Sequence, residues 1–446
     1  MLSSKAWAIL EEMAQKFSKI IPQKRLVVGL SGGADSTLVL LLAIEMRKLN
    51  PDYQVVAVHC IHGLDADDPI WLAHCTALCK RVQVDEFITP KLNIVYGNGL
   101  SPEAISREER YRALKENLKG GVLLIGHQAD DEVENFLLAL KRGSGPEGLS
   151  GMSERITDSR GIIIRPCLKL HKHEIEELVT ALGFDYVYDI SNSYLKFERN
   201  FMRLKVLPLL RERFVGIDKA ILRSSHLCAL EHDLAMRYVK DIYAKVKTLF
   251  RSYKALDLKK LNLDDEAAAI CVLRCFLAES LDLNPEFRVV EEALRFAHTS
   301  HDTKASLKLN AQLYLKRYLD YLVLVPTFTL PAPQQYELQL GQSLHLGDFC
   351  YSLKESTDKE RAFMLKHKSV ILDFNYQGSL KLKPVSRHKS RELKKLMGEY
   401  QIPLWERGLM CVVYDLEHKP LSLANLCALG DKAISSGYEL SITKVQ

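Results

Sequence analysis

The sequence predicts an α/β protein. A doubly wound parallel sheet comes first, then a small mostly helical domain, then a C-terminal α+β domain. Three observations carry this. Short apolar, β-branched runs alternate with stretches of helical length through the first half of the chain. One such run, Leu26–Leu30, passes through a glycine turn straight into the apolar stretch Thr37–Ile44. The proline-containing segment Thr327–Gln335 then separates a helical stretch from one that alternates like strands. The expected domains are 1–218, 219–328 and 329–446.

At 446 residues and 47% hydrophobic, the chain can bury two or three sizeable cores. It has no uncharged apolar run of about 18 residues, so no membrane partner is expected. Met1–Lys19 reads as an amphipathic helix and lacks the apolar block of a signal peptide. The ten cysteines include no Cys-x2-Cys; Cys75/Cys79 and Cys271/Cys275 sit four apart in helical stretches and read as core thiols. A reduced, cytoplasmic protein is expected. The net charge of +5 is mild, so a nucleic-acid partner has to rest on local clusters.

In chain order, the first helix precedes the strand Leu26–Leu30 and the turn Ser31-Gly32-Gly33-Ala34-Asp35-Ser36. A strand, a glycine turn and a helix start leave backbone N–H groups and a positive dipole end for an anion. Gly32 and Gly33 let a ligand approach the backbone. Ser31 and Ser36 add hydroxyls, and Asp35 beside a phosphate calls for a cation such as Mg²⁺. The plainer alternative is a junction with Asp35 as a helix cap. Next come a strand over Gln54–Val58 ending at His59, a helix over Asp67–Lys80 and a strand over Gln83–Ile88. Ser101-Pro102-Glu103 starts a helix running to about Leu118. A strand over Val122–Ile125 and a helix over Asp130–Leu140 follow. Ligands sit at the carboxyl ends of parallel strands, so the glycine turn, His59/His62 and His127–Asp131 should share one edge.

Asp130, Asp131 and Glu134 at that edge suit Mg²⁺ or a cationic amine, or simply complement the helix dipole. Arg107 and Arg110 share a helix face and read as a phosphate fork or a solvated, salt-bridged surface. His59 and His62 are either ligands or structural strand-end residues. Arg142–Leu149 is glycine-rich, either a closing loop or a plain connection. Arg199, Arg203 and Lys205 form a basic run that faces nucleic acid or solvent.

In the second half, Ser224–Phe296 reads as helical, with Leu227, Leu230, Leu234 and Tyr238 in step and Ala267–Leu281 apolar. Ala305–Leu309, Gln312–Leu315 and Tyr321–Val325 read as strands, as do Tyr336–Leu346 and Ser369–Phe374. Within Lys381–Lys395 stand Lys381, Lys383, Arg387, Lys389, Arg391, Lys394 and Lys395 against one acid, Glu392. Arg391, Lys394 and Lys395 are expected on one helix face, which reads as a phosphate-backbone contact or as a solvated helix surface.

Ser-Gly-Gly-x-Asp-Ser after a strand resembles the signature of the PP-loop ATP pyrophosphatases. The order of the remaining motifs resembles the tRNA(Ile)-lysidine synthetases: His59-x-x-His62-Gly63-Leu64, Glu103-x-x-x-Arg107-x-x-Arg110-Tyr111 and His127-x-x-Asp130-Asp131-x-x-Glu134. Leu137 to Leu149, Arg165-Pro166, Asp189-x-Ser191-Asn192 and Arg199-Asn200-x-x-Arg203 continue the match. Arg391–Leu396 with Ile402-Pro403-x-Trp405-x-Arg407 resembles the C-terminal domain of longer members. Asp65 departs from the family, many of whose members carry Arg there.

The resemblance implies a Rossmann-like PP-loop domain that uses ATP and Mg²⁺. ATP would adenylate O2 of the wobble cytidine of a tRNA(Ile) with a CAU anticodon, and free L-lysine would then displace AMP at C2. By that resemblance Ser31, Gly32, Gly33, Ala34, Asp35, Ser36 and His59 bind ATP, and Asp35 ligates Mg²⁺. Asp130, Asp131 and Glu134 bind lysine. Asp35, Arg107, Arg110, Asp130 and Asp131 are catalytic. Arg199, Arg203, Arg387, Lys389, Arg391, Lys394 and Lys395 contact tRNA. A homodimer is left open. The nearest alternative is a thiolase-type PP-loop enzyme, against which the missing Cys-x2-Cys argues.

Overall fold

A computed structural model describes residues 2–63, 67–93, 102–158, 161–188, 194–281, 284–299 and 305–445. Leu64, Asp65, Ser101, Asp189, Ser191 and Asn192, singled out above, lie outside these residues, as does the side chain of Glu103. The chain divides into two compact units, Met1–Met236 and Arg237–Gln446. The boundary proposed after residue 328 thus falls inside the second unit.

The first unit begins with α1 (Leu2–Ile20), β1 (Arg25–Gly29), α2 (Ala34–Leu49), β2 (Gln54–Val58), α3 (Asp68–Val82), β3 (Glu86–Ile88) and α4 (Pro102–Glu116). It continues through β4 (Val122–Leu124), α5 (Ala129–Lys141), α6 (Pro146–Leu149), β5 (Arg155–Asp158), β6 (Gly161–Ile164) and α7 (Lys172–Ala181). α8 (Glu198–Phe201), a π-helical turn (Met202–Val206) and α9 (Leu207–Arg213) lead into α10 (Ile217–Val246), which contains the division between the units.

The sheet has the order β3-β2-β1-β4-β6-β5. Its first five strands pair in parallel, and β5 closes the edge antiparallel to β6. The strand order reverses between β1 and β4, which is where a doubly wound sheet opens a crevice. Val27, Val56 and Leu123 pack under Leu114 and Leu118 on one face. Leu26, Val28, Val55 and Leu124 pack against α1, α2 and α7 on the other. α2 is buried nearly throughout, from Thr37 to Ile44, because it is covered on both sides.

Two departures stand out in this unit. The strand expected over Gln83–Ile88 shortens to Glu86–Ile88, because Gln83 adopts a left-handed conformation (φ 56°) and caps α3 through its N–H to Cys79 O. The β5–β6 hairpin was not anticipated, although Gly161-Ile-Ile-Ile carries a strand signature.

The second unit contains β7 (Lys247–Phe250), β8 (Tyr253–Asp257), α11 (Glu266–Leu281), α12 (Phe287–Ala297), β9 (Ser306–Lys308), β10 (Leu313–Tyr318) and β11 (Tyr321–Pro326). Then follow β12 (Gln335–Gln339), β13 (Ser343–Leu346), β14 (Phe349–Ser356), β15 (Ser369–Asp373), β16 (Lys381–Leu382), β17 (Arg391–Glu392) and α13 (Leu393–Glu399). β18 (Val412–Tyr414), β19 (Pro420–Leu423), β20 (Cys427–Ala428) and β21 (Gly437–Lys444) complete it. β7-β8-β11-β10-β9 form an antiparallel sheet, as do β12-β15-β18-β19-β20 and β13-β14-β21.

The helical reading of Ser224–Phe296 is therefore corrected: the β7–β8 hairpin interrupts it. Leu249, Phe250 and Tyr253 satisfy a helical spacing on paper, but Arg251 takes a left-handed φ of 54° and turns the chain back. The basic stretch Lys381–Lys395 is likewise not one helix. Arg391 stands in β17, ahead of the helix that carries Lys394 and Lys395.

Candidate active site

The carboxyl ends of β1, β2 and β4 open into a cavity of about 610 Å³. It is lined by Ser31, Gly33, Ala34, Asp35, Ser36, His59, His62, Arg107, Arg110, His127, Asp131, Arg199 and Arg203, among others. The edge expected to gather the glycine turn, His59/His62 and His127–Asp131 does gather them.

The glycine turn is held from within. Ser36 Oγ accepts from Ser31 N at 3.2 Å and Gly32 N at 3.1 Å, and donates to Gly33 O at 3.0 Å. Ser36 is thus a buried clasp, and its hydroxyl is already committed to the turn. The donors left for an anion are the backbone N–H groups in the first turn of α2, which have no intrahelical acceptor. Gly32 has φ +91°, and a Cβ there would meet Val187 Cγ2 at 2.9 Å and Cys75 Sγ at 3.1 Å. It shapes the turn and does not line the cavity.

Asp35 and Asp131 face the same space. Asp35 Oδ1 is buried and has no hydrogen-bond partner among the described residues. Burial, then the neighbouring Asp131 charge, raises the Asp35 carboxyl to about 7, against opposing effects of Lys172 and Arg203. Gly126 lets the β4–α5 loop approach, since a Cβ there would lie 2.8 Å from the Asp35 carbonyl carbon. Asp131 Oδ2 accepts from Gln128 N at 3.1 Å in a capping box, and Oδ1 lies 3.6 Å from Arg203 Nη2. Burial raises the Asp131 carboxyl too. An orphaned carboxylate oxygen beside a second buried carboxylate is an oxygen donor set that suits Mg²⁺.

The other two acids sit differently. Asp130 does not line the main cavity. Its Oδ2 accepts from Lys172 N at 2.9 Å and lies 3.3 Å from His171 Nδ1, and its Oδ1 lies 2.5 Å from Arg211 Nη2. Against the effect of burial, the Lys172 and Arg211 hydrogen bonds hold its carboxyl below the usual range. Asp130, His171 and Asp218 cluster closely, but the Arg211 guanidinium bridges the two acids. Glu134 is fully buried and bound in two-pronged fashion by Arg203, with Nε–Oε1 2.6 Å and Nη2–Oε2 3.0 Å. Asp130, Glu134 and Arg211 line a smaller cavity of about 270 Å³, which shares Gln128, Lys172, Glu176 and Arg203 with the larger one.

Arg199 and Arg203, read from sequence as a basic run, turn inward. Arg203 binds Glu134, and Arg199 donates to Asn135 Oδ1. Arg110 is brought beside Arg107 and Arg199, and burial lowers its pKa first, before the two neighbouring cations. Arg107 lies over Tyr111, 5.3 Å from the ring centroid. His59 is a pinned strand-end residue: Nδ1 is 2.9 Å from Leu30 O and 3.5 Å from Cys75 Sγ. His62 Nδ1 lies 2.9 Å from Ser106 Oγ. Cys60 lines the cavity, and burial pushes its thiol up to about 11.

The remaining basic residues belong to the second unit. Arg387 and Arg391 both pair with Glu399, at 2.6 and 3.0 Å, and Lys395 pairs with Glu392 at 2.9 Å. Lys389 and Lys394 are exposed and form no ion pair among the described residues.

Sequence reasoning named no site role for His127, Arg165, Lys172 or Glu176. Lys172 and Glu176 stand four apart on α7, whose N-terminus reaches Asp130. That spacing was visible, but nothing in it said that α7 turns toward the cavity.

Residues 8–210 match a PP-loop domain family, and residues 370–433 match the TilS substrate C-terminal domain. The tRNA(Ile)-lysidine synthase of Vibrio parahaemolyticus is 31% identical over 89% of this chain and 92% of its own length. That of Vibrio vulnificus is 32% identical over 89% and 92%, and that of Histophilus somni 28% over 91% and 96%. A solved U34-tRNA thiolase NcsA from Methanococcus maripaludis, with its [4Fe-4S] cluster, is 18% identical over 51% of this chain and 81% of that one, at a TM-score of 0.43. The glycine turn, the acids of α5 and the near-complete match to these synthases together establish that the chain belongs to the tRNA(Ile)-lysidine synthase family.

Proposed function

We propose that the protein is a ligase that joins free L-lysine to C2 of the wobble cytidine of a tRNA(Ile) with a CAU anticodon. ATP is consumed, and AMP and pyrophosphate are released. The observation that carries this reading is the main cavity, where the N-terminus of α2, Arg107, Arg110 and Arg199 meet the Asp35/Asp131 pair. Cationic donors for phosphate and buried acids for an amine are thereby gathered on one sheet edge.

The chemistry follows in two steps. Cytidine O2 attacks the α-phosphorus, an O–P bond forms, the α–β bridge breaks and pyrophosphate leaves. Backbone N–H groups at the start of α2 and the nearby guanidiniums stabilise the charge that develops on the phosphates. Asp35 would hold Mg²⁺, which when bound neutralises the leaving pyrophosphate. The side-chain amine of lysine then attacks C2, a C–N bond forms, and the C2–O2 bond breaks with AMP as leaving group. The amine must first lose a proton. Asp131 is suited to take it, because burial makes its carboxylate more basic than an exposed one. Asp130, Glu134 and Glu176 line the smaller cavity together with Lys172, Arg203 and Arg211, so its three acids are matched by three cations. The target base must leave its stack, which costs least in a single-stranded anticodon loop.

A thiolase reading requires reactive sulfur. Burial holds Cys60 at about 11 and Cys75 and Cys79 at about 12, so these are inert thiols at neutral pH. The deciding experiment is incubation with ATP, a tRNA(Ile) transcript and radiolabelled lysine. Label should enter tRNA only when all three are present, with one pyrophosphate released per lysine incorporated. ATP-independent incorporation, or none with the complete mixture, would overturn the proposal.

A further inference from the structure

We propose that Arg165 is a positioning residue that locks His127 in its Nε2–H tautomer, so that the ring presents a neutral hydrogen-bond donor to an anionic phosphate oxygen in the main cavity. This rests on the nucleotide-binding reading given above. Arg165-Pro166 follows β6, and Arg165 is only 5% exposed. Its Nε donates to His127 Nδ1 at 3.0 Å, and its Nη1 donates to Ser153 O at 2.8 Å. The backbone of Arg165 is tied as well, through N–H to Glu154 O at 2.9 Å.

The logic is one of donors. A guanidinium has N–H groups and no acceptor, and it does not deprotonate in a protein. A proton on His127 Nδ1 would therefore point N–H at N–H. Both the Nδ1–H tautomer and the imidazolium are excluded while Arg165 stays in place, and the single ring proton resides on Nε2. The surroundings agree: burial, then the Arg165 charge, then Arg107, Arg110 and Arg199 push the His127 pKa down to about 3. The ring is thus a fixed dipole at neutral pH and does not serve as a proton shuttle.

The support behind Arg165 is equally defined. Ser153 follows Met152, whose N–H donates to both oxygens of buried Glu132, at 2.8 and 2.9 Å. Gly151, at φ +68°, makes this possible, because a Cβ there would lie 1.4 Å from Glu132 Oε1.

Two measurements test the proposal on the full-length protein. The first is ¹⁵N NMR of the histidine-labelled chain, with His127→Gln used to assign the His127 resonances. The expected result is an unprotonated Nδ1 and a protonated Nε2, unchanged between pH 6 and 8. A protonated Nδ1, or titration in that range, overturns the proposal. This readout holds even if the chain makes no lysidine, so the failure of one reading is distinguishable from the failure of the other. The second is a double-mutant cycle on kcat for lysine incorporation. Arg165→Met should lower kcat by about 10- to 100-fold, as loss of the partner that orients a functional histidine does. In the His127→Gln background, whose amide supplies an N–H where Nε2 stood, the same change should cost less than about 2-fold. Equal losses in both backgrounds would mean that Arg165 only supports the fold, and would overturn the assignment.

Discussion

Asp35 combines three properties: a buried oxygen with no partner among the described residues, a second carboxylate close by, and a position in the first turn of α2. The sequence made it stand out, because a carboxylate beside a phosphate loop calls for a cation. Only the folded chain shows that Asp131 is its electrostatic neighbour. The consequence is a stability that depends on pH. With its folded pKa raised to about 7 from an ordinary value of 3.8, Asp35 keeps its proton in the folded state at pH values where the unfolded chain has lost it. Stability of the ligand-free protein therefore falls as pH rises from about 4 to about 7, and levels off above. Asp35→Asn removes this effect. It should stabilise the ligand-free protein at pH 8 by about 1–4 kcal/mol and change little at pH 4, read as Tm. An equal shift at both pH values would sink this account. Ser36 teaches the opposite lesson. Its spacing suggested a phosphate donor, yet its hydroxyl closes the turn on Ser31 and Gly32, a contact of φ/ψ geometry that no spacing reveals.

At the scale of elements, α5 is joined to the π-helical turn Met202–Val206 by the pair Glu134–Arg203. Glu134 is fully buried while the Arg203 side chain is 24% exposed, so the pair matters chiefly through what happens to the buried carboxylate when it is broken. Arg203→Met should destabilise by about 3–5 kcal/mol, because a buried carboxylate is left alone. Arg203→Met with Glu134→Leu should recover most of that loss in chemical denaturation, whereas additive losses would mean that the pair is not the reason. Helix starts and stops were largely legible, since caps, Pro102 and apolar periodicity are local signals. The β7–β8 hairpin was not. Leu249, Phe250 and Tyr253 fit either period, and the left-handed turn at Arg251 decided the matter. Arg391 shows the same limit: its ladder pairing with Leu382 places it in a strand, which the helical spacing of the basic residues did not reveal.

For the whole molecule, nucleic-acid binding rests on clusters, because the net charge is only +5. In the second unit Arg387, Arg391 and Lys395 are already paired with acids, so Lys389 and Lys394 are the cations best placed to gain from phosphate contact. Lys389→Glu with Lys394→Glu should weaken tRNA binding and flatten its salt dependence by about one unit of slope per lost contact. ATP affinity should stay unchanged. Anisotropy titrations at several salt concentrations measure both, and an unaltered slope would remove these lysines from the interface. The sequence by itself determined the parallel sheet, the glycine turn at its edge, and the acids and arginines proposed for the site. Those depend on alternation, glycine placement and residue chemistry, which are local. Tertiary structure alone decided which acid faces the cavity, that Asp130 and Glu134 are committed to Arg211 and Arg203, and that Arg165 stands behind His127. Such pairings join residues as far apart as Asp130 and Arg211. They arise when helices dock on the sheet and exclude water, because a buried charge must then find a partner.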